Sequence, residues 1–386
     1  VLREQLREVA EHVVTTIMGD IPVYREAFSG RMGENIETAV QMALGGFLRL
    51  ASRERSVDAS APMGPALDAA YTLGRGEARN GRSADALLSA YRVGARVAWR
   101  ELSATAVRQG VPAATIATFA EMVFAYIDEL SASSVAGHAA EMAAADRERE
   151  RHRTRLAVAL AQGATPDQLA TLAERARWTP PKTLTAALVP DASVRTVLAA
   201  ADSRTLVAGE EIAGLPADTV LLLIPDAHDR ARPAILRLLG DGREARSGVV
   251  VGPARPWDAA QASFRRAMRA HVLAAAPDTG GLRSTAGLID TEANLAELVL
   301  RADESALSDL RARVLAPLDG LRPATREKLA ATLRSWLLHH GRRDEVAADL
   351  FVHPQTVRYR VGQLRDLYGD RLEDPRTVLE LTVALA

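Results

Sequence analysis

Cysteine is absent from these 386 residues. Disulfides, thiolate nucleophiles and cysteine-ligated zinc are excluded with it. Aromatics are scarce, at 4%, whereas alanine is abundant, and lysine occurs only at Lys182 and Lys328. Nearly all positive charge is therefore arginine, a bias that reflects a GC-rich genome more than a mechanism. The formal net charge of −1 rules out a general polyanion binder, so any affinity for nucleic acid must come from a local patch. No run of about 18 apolar residues and no basic-then-apolar opening segment is present, which predicts a cytoplasmic protein with no membrane partner. The chain opens on Val1 rather than Met, as if it began inside a longer one. Catalytic signatures are also missing: no phosphate-binding Walker loop, no GxSxG elbow, no HExxH and no dinucleotide fingerprint occurs. The expectation is that the protein is not an enzyme and carries no cofactor or metal.

What is there begins with Gly341 to Leu372, GRRDEVAADLFVHPQTVRYRVGQLRDLYGDRL. A short helix over about Asp344–Leu350 carries the small Ala347 and Ala348 between Val346 and Leu350. A tight turn follows through Phe351, Val352 and His353. Pro354 sits where a second helix can begin, because the first turn does not use that N–H. His353 precedes it as an N-cap-like residue. The second helix runs to about Tyr368, with Val357, Val361 and Leu364 on one buried stripe. At about 100° per residue, Gln355, Tyr359, Gly362 and Asp366 fall on the opposite side. Thr356 and Gln363 flank that face on one side and Arg358 on the other, with Arg360 near the edge of the stripe. No acid lies between Pro354 and Arg365. Amides and hydroxyls for base edges, with guanidinium groups for phosphate or guanine, make this a helix suited to the major groove.

The same residues carry a family resemblance. The stretch "LRSWLLHHG…VAADLFVHPQTVRYRVGQLRDLYGDRLEDPRTVLELTVAL" resembles the C-terminal helix-turn-helix of PucR-type (CdaR-like) bacterial transcriptional regulators. Gly341, Ala347, Leu350, Val352, His353, Thr356, Val357, Arg358, Tyr359, Arg360, Leu372, Asp374 and Pro375 match the family pattern. Arg342 and Val346 depart from it where Asn and Thr are usual, which leaves the start of the first helix without its usual cap.

Ahead of this, residues 1–127 are predicted as a helical bundle. Ile36, Val40, Leu44, Phe47 and Leu48 give a helical period, a break follows over Ser56–Pro65, and Ser83 is the N-cap of a long helix to about Gln109. Thr115 begins another. "ADALLSAYRVGARVAWREL" resembles the helical N-terminal domain of RsbRD-type stress co-antagonists, and Tyr91, Arg92 and Arg96 within it are candidate ligand contacts. The competing reading makes Tyr91 and Trp99 core and pairs the arginines with acids. Residues 128–163 read as a charged linker and dimerisation helix.

Strands are expected at Leu184–Val189, Thr205–Ala208, Val220–Ile224 and Gly248–Val251, with helices at Ile235–Leu239 and Asp258–Ala275. Together they give an α/β or α+β domain within 164–300. "VVVGPARPWDAAQASFRRAMRAHVLAA" resembles the end of the GGDEF-like middle domain of CdaR-type regulators, through Gly252, Pro256, Ser263, Arg265, Ala267 and Ala270. The cyclase turn is missing: Gly240–Asp241–Gly242 and Gly280–Gly281 lack its paired acids. The loop Asp226–Ala227–His228–Asp229 is a remote metal candidate. A single helix over Leu298–Leu315, then one starting at Pro323, lead into the 301–386 helix-turn-helix domain, whose last helix opens on Asp374–Pro375.

The fold class is thus multidomain α and α+β: an N-terminal bundle, a degenerate GGDEF-like domain and an all-α helix-turn-helix. The expected function is a regulator that senses a small effector or partner in front and binds double-stranded DNA behind, as a homodimer. His353, Gln355, Thr356, Arg358, Tyr359, Arg360 and Gln363 are its DNA contacts. A stress-pathway interaction regulator and a nucleotide-binding enzyme built on the middle domain are the alternatives.

Overall fold

The computed structural model describes residues 6–25, 40, 42, 43, 45, 64–240, 248–275, 282–285 and 287–386. By its contacts the chain divides into two compact units, Val1–Arg151 and His152–Ala386. Of the expected helical period Ile36, Val40, Leu44, Phe47 and Leu48, only Val40 is among the described residues and it is helical, as are residues 42, 43 and 45; most of the Ser56–Pro65 break lies outside them too.

In the first unit, helix α1 (Leu6–Asp20) and a 3-10 turn (Pro22–Tyr24) precede α2 (Gly64–Arg79), α3 (Ala84–Arg108) and α4 (Ala113–Gln162), whose last residues belong to the second unit. Ser83 caps α3 as expected, its hydroxyl accepting the Ala86 N–H at 3.2 Å. Gly110, at φ 71°, closes the other end in the left-handed conformation glycine adopts without penalty. α1 buries Val9, Ala10, Val13 and Ile17 against Val97 and Ala98 of α3. α2 and α4 approach so closely that a Cβ on Gly74 or on Gly137 would collide with the backbone carbonyl of Ser134 or Tyr71, respectively. The Ser133 and Ser134 hydroxyls donate to Leu67 O and Ala70 O at 2.8 and 2.7 Å, stitching the two helices together.

The second unit contains a five-stranded sheet in the order β2–β3–β1–β4–β5. Its strands are β1 (Thr183–Pro190), β2 (Leu206–Ala208), β3 (Thr219–Pro225), β4 (Val249–Pro256) and β5 (Leu288–Asp290). The pairs are antiparallel except β4 with β5. β1 is buried over Leu184–Val189, which explains a continuous apolar run where one-sided burial would have produced alternation. One face packs on the end of α4, on α5 (Pro166–Arg175) and on α8 (Ala260–Ala275). The other packs on α6 (Asp191–Ala200) and α7 (Arg232–Gly240). At the β1–β4 bulge, Ser263 Oγ accepts the Ala186 N–H at 2.9 Å, and Gly252 leaves room for the Ser263 backbone.

Two features differ from expectation. α5, β5 and α6 were not among the expected elements: α5 is one short helix just after the charged segment, three residues of β5 carry no period, and α6 follows β1 directly through Pro190–Asp191. The single helix over Leu298–Leu315 is two, α9 (Leu295–Leu300) and α10 (Glu304–Leu315). Asp303 separates them by accepting the Ala306 N–H at 2.9 Å, an N-cap that starts a new helix inside an apolar pattern. The chain is multidomain α and α+β, mostly helical, with a small mixed sheet and a helical C-terminal region. No described helix is long and apolar enough to cross a membrane.

Candidate nucleic-acid interface

α11 (Pro323–Leu338), α12 (Arg343–Asp349), α13 (Pro354–Tyr368) and α14 (Pro375–Leu385) build the C-terminal site. Leu329 and Leu333 of α11 pack with Leu364 and Tyr368 of α13 and Leu381 of α14. Val346 and Ala347 of α12 meet Val357 of α13 in a smaller core, closed by Trp336, Leu350, Val352 and Val361. α11 thus braces the motif from behind.

The turn between α12 and α13 is a Schellman C-cap. Val352 N–H donates to Ala347 O at 2.9 Å and Phe351 N–H to Ala348 O at 3.3 Å. This geometry requires a left-handed residue, and Phe351 supplies it at φ 52° while 96% exposed. The same device ends α11: Gly341 N–H reaches Trp336 O at 2.9 Å with His340 at φ 50°. Glycine is the usual residue at such a position, and neither position has it. The start of α12 lacks a side-chain cap, as the Arg342 departure implied. Arg342 and His339 instead bond Glu345 at 2.7 and 3.2 Å. Asp344 and Glu345 in the first turn favourably face the helix N-terminus.

α13 has the bounds read from the sequence, Pro354–Tyr368, with Pro354 in its first turn. His353 caps it: Nδ1 accepts the Gln355 N–H at 3.2 Å, which requires Nδ1 to be unprotonated. Gln355, Arg358 and Tyr359 are exposed, Tyr359 by 67%, while Thr356 and Gln363 are half-buried on the flank. Gln363 Nε2 donates to Tyr359 Oη at 3.4 Å, tying two of the candidate readers together one turn apart. Arg360 differs from the others. It is half-buried, and its Nη1 donates to Thr332 Oγ1 of α11 at 3.3 Å, so part of its guanidinium holds α13 to its brace. Tyr368 Oη donates to Val314 O at 3.0 Å, and burial pushes its hydroxyl up to about 12. Asp374 caps α14, accepting from Thr377 N and Oγ1 at 2.9 and 2.7 Å, bonds that hold its carboxyl below the ordinary aspartate value. Sequence reasoning missed Phe351 as an exposed left-handed aromatic. The signal was its place directly after a helix end, where Gly or Asn is usual.

In the first unit, Tyr91, Arg92 and Arg96 line one groove between α3 and α4. Tyr91 Oη and Ser134 Oγ are 2.6 Å apart, and burial raises the tyrosine's pKa. Arg92 donates to Ser89 Oγ at 2.9 Å, and Arg96 lies 3.6 Å from Asp20, both partners well exposed. The arrangement takes something from each reading of these residues: Arg96 faces an acid, and Tyr91 is both packed and groove-lining. In the middle region, the Asp226 carboxylate accepts from the Lys182 and Thr183 N–H groups and from Arg204, which accounts for it without an ion. Among the described residues no acid–histidine group could hold a metal. Asp241, Gly242, Gly280 and Gly281 lie outside the described residues.

Residues 1–161 match the family model of the PucR-like N-terminal domain, and residues 329–386 that of the PucR C-terminal helix-turn-helix domain. The chain is similar to an uncharacterised protein from the pkwA 5′ region of Thermomonospora curvata. They are 36% identical over 99 residues, 26% of this chain and 53% of that protein. It is also similar to an uncharacterised Mycobacterium tuberculosis protein, 33% identical over 136 residues, 35% of this chain and 31% of the relative. The matches thus span about half and about a third of those relatives' lengths. Among solved structures, it is similar to the Regulator of Polyketide Synthase Expression from Bifidobacterium adolescentis. That match has 20% identity and a TM-score of 0.32, covering 61% of this chain and 91% of that one.

Proposed function

The chain belongs to the PucR family of regulators, and from that premise we propose that it binds operator DNA through α13. The observation that supports this most directly is a capped helix with exposed Gln355, Arg358 and Tyr359 and no acid in its first three turns. In this reading α13 enters the major groove at its N-terminal end. Gln355, Thr356, Tyr359 and Gln363 meet base edges, while Arg358 and His353 contact phosphate or guanine. Arg360 divides its donors between Thr332 and the DNA. The family points to a regulator rather than an enzyme. We read the protein as cytoplasmic and homodimeric, with 1–127 as the sensor bundle, 128–163 as the linker, 164–300 as the GGDEF-like domain and 301–386 as the DNA-binding domain. An effector acting in front would shift the spacing of two C-terminal domains and so the fraction able to span paired half-sites.

Footprinting the full chain on the DNA upstream of its own gene tests this, with affinity measured across a salt series. If Arg358 contacts phosphate, Arg358→Ala should weaken binding on every sequence and flatten the plot of log affinity against log salt by about one unit. Gln355→Ala should instead change the base preference and leave the slope in place. Protection nowhere on that DNA at low salt, or an unchanged slope for Arg358→Ala, would remove the assignment.

A further inference from the structure

The groove between α3 and α4 has a volume of about 500 Å³, within the range of small-molecule sites. Two contacts fix its register. Trp99 and Phe124 meet at one end, ring centroids 6.0 Å apart, and Tyr91 meets Ser134 at the other. The helices are therefore antiparallel here, and side chains four and seven residues apart on each form the two walls. α3 contributes Arg92, Arg96 and Trp99 in that order, and α4 contributes Phe124, Asp128 and Ser131. From the ring pair to Arg92 is about seven residues, or roughly 10 Å along the axis.

The chemistry differs along that length. At one end the rings of Trp99 and Phe124 present an aromatic face to solvent, Phe124 being 49% exposed. Toward the other end stand two guanidinium groups. Arg92 bonds only a neutral hydroxyl, Ser89, and has no acidic partner among the described residues. Arg96 holds Asp20 at 3.6 Å across an exposed pair, an interaction that contributes little and is readily exchanged. Asp128 and Ser131 add acceptors on the opposite wall. A carboxylate suits Arg92 and Arg96, a planar ring suits Trp99 and Phe124, and a hydroxyl or amino group suits Asp128.

We propose that this groove binds a small aromatic carboxylate bearing a hydrogen-bond donor, and that such a compound is the effector class of the regulator. The second clause rests on the regulator reading above; the first does not. Binding through Arg96 would release Asp20, and with it a link from α3 to the end of α1.

Trp99 supplies the readout, being the only tryptophan of residues 1–151. The full chain is titrated with 4-hydroxyphenylacetate, its amide and phenylacetate, following tryptophan emission and, in parallel, heat. The acid should give a saturable change in emission. The amide, and the acid on Arg92→Gln, should bind at least about tenfold more weakly for want of the charge-assisted bond. Phenylacetate should be weaker than its hydroxylated relative. In Trp99→Phe the emission change should vanish while calorimetric binding persists. Saturation nowhere below about 10 mM, or equal binding of acid and amide, overturns the proposal. So does a dimer that Phe124→Asp dissociates while no probe binds, since the groove would then be filled by a second copy. Operator binding is measured with and without probe on the same preparation, and DNA counts as unbound only when it is unbound in both. DNA binding with no probe bound rejects the ligand site alone, whereas probe binding with no DNA bound rejects the regulator reading alone.

Discussion

At the scale of single residues, two positions carry energetic tension. Phe351 is a β-carbon residue in a conformation that costs about 1 kcal/mol, and it leaves an aromatic ring in water. Both features sit in the turn that aims α13. Phe351→Gly should relieve the backbone and raise C-terminal stability by about 1 kcal/mol, seen as slower hydrogen exchange of the α12 and α13 amides. If operator affinity falls in the same variant, the ring touches DNA. The second position is Glu77, only 1% exposed. It accepts from Tyr24 Oη at 2.8 Å and from Arg82 Nε and Nη2 at 2.7 and 2.9 Å. Burial and the adjacent carboxylate push the Tyr24 hydroxyl far up, so it stays a donor at any ordinary pH. Arg82→Met should strand the carboxylate and cost about 3–5 kcal/mol in the thermal unfolding of the first unit. The double variant Glu77→Leu with Arg82→Met should recover most of that loss; failure to recover would mean that Arg82 acts through packing instead.

At the scale of elements, the sequence was most legible where a local device sets a boundary. Pro354 after His353, Ser83 before Ala84 and Asp374–Pro375 each place a helix start, because a cap or a fixed φ acts within three residues. The four strand expectations held for a different reason, their apolar runs being unlike the helical periods of the front bundle. What was not legible depends on partners distant in sequence. β5 exists because Val249–Val251 offers it a parallel edge. The half-burial of Arg360 depends on Thr332, 28 residues away. Gly74 and Gly137 carry no signal of their own in the sequence, yet they are where α2 and α4 touch. Gly137→Ala should therefore destabilise the bundle by about 1–3 kcal/mol or more, although alanine is the better helix former. A rise in melting temperature would show that α2 and α4 have room to separate. The tie from α13 to the end of α10 gives a pH dependence. Tyr368 ionises at about 12 in the folded protein, above the ordinary 10.0. Its contribution is then complete below pH 10 and lost as the pH rises towards 12. Alkaline loosening of the C-terminal domain, followed by Trp336 emission, should shift or vanish in Tyr368→Phe.

At the scale of the whole molecule, the charge balance decides how the proposed DNA binding would have to work. A net charge of −1 gives no general attraction to a polyanion. One helix-turn-helix module covers a small interface, and α13 offers Arg358 and part of Arg360 as its forward charges. One copy on one half-site should be weak. Under the proposed function, useful affinity would then require two copies held together, the second contact being made at the high effective concentration set by the first. Geometry supplies the test. On a natural operator, scrambling one half-site should cost the full chain at least about a hundredfold in affinity. Inserting about 5 base pairs between half-sites should cost nearly as much, because it rotates one recognition face to the far side of the duplex. Inserting about 10 should restore part of the loss, the remainder measuring how far the paired chains can stretch. Indifference to all three changes would mean that each copy binds alone, and that the front domains act on α13 within one chain instead of on the distance between two.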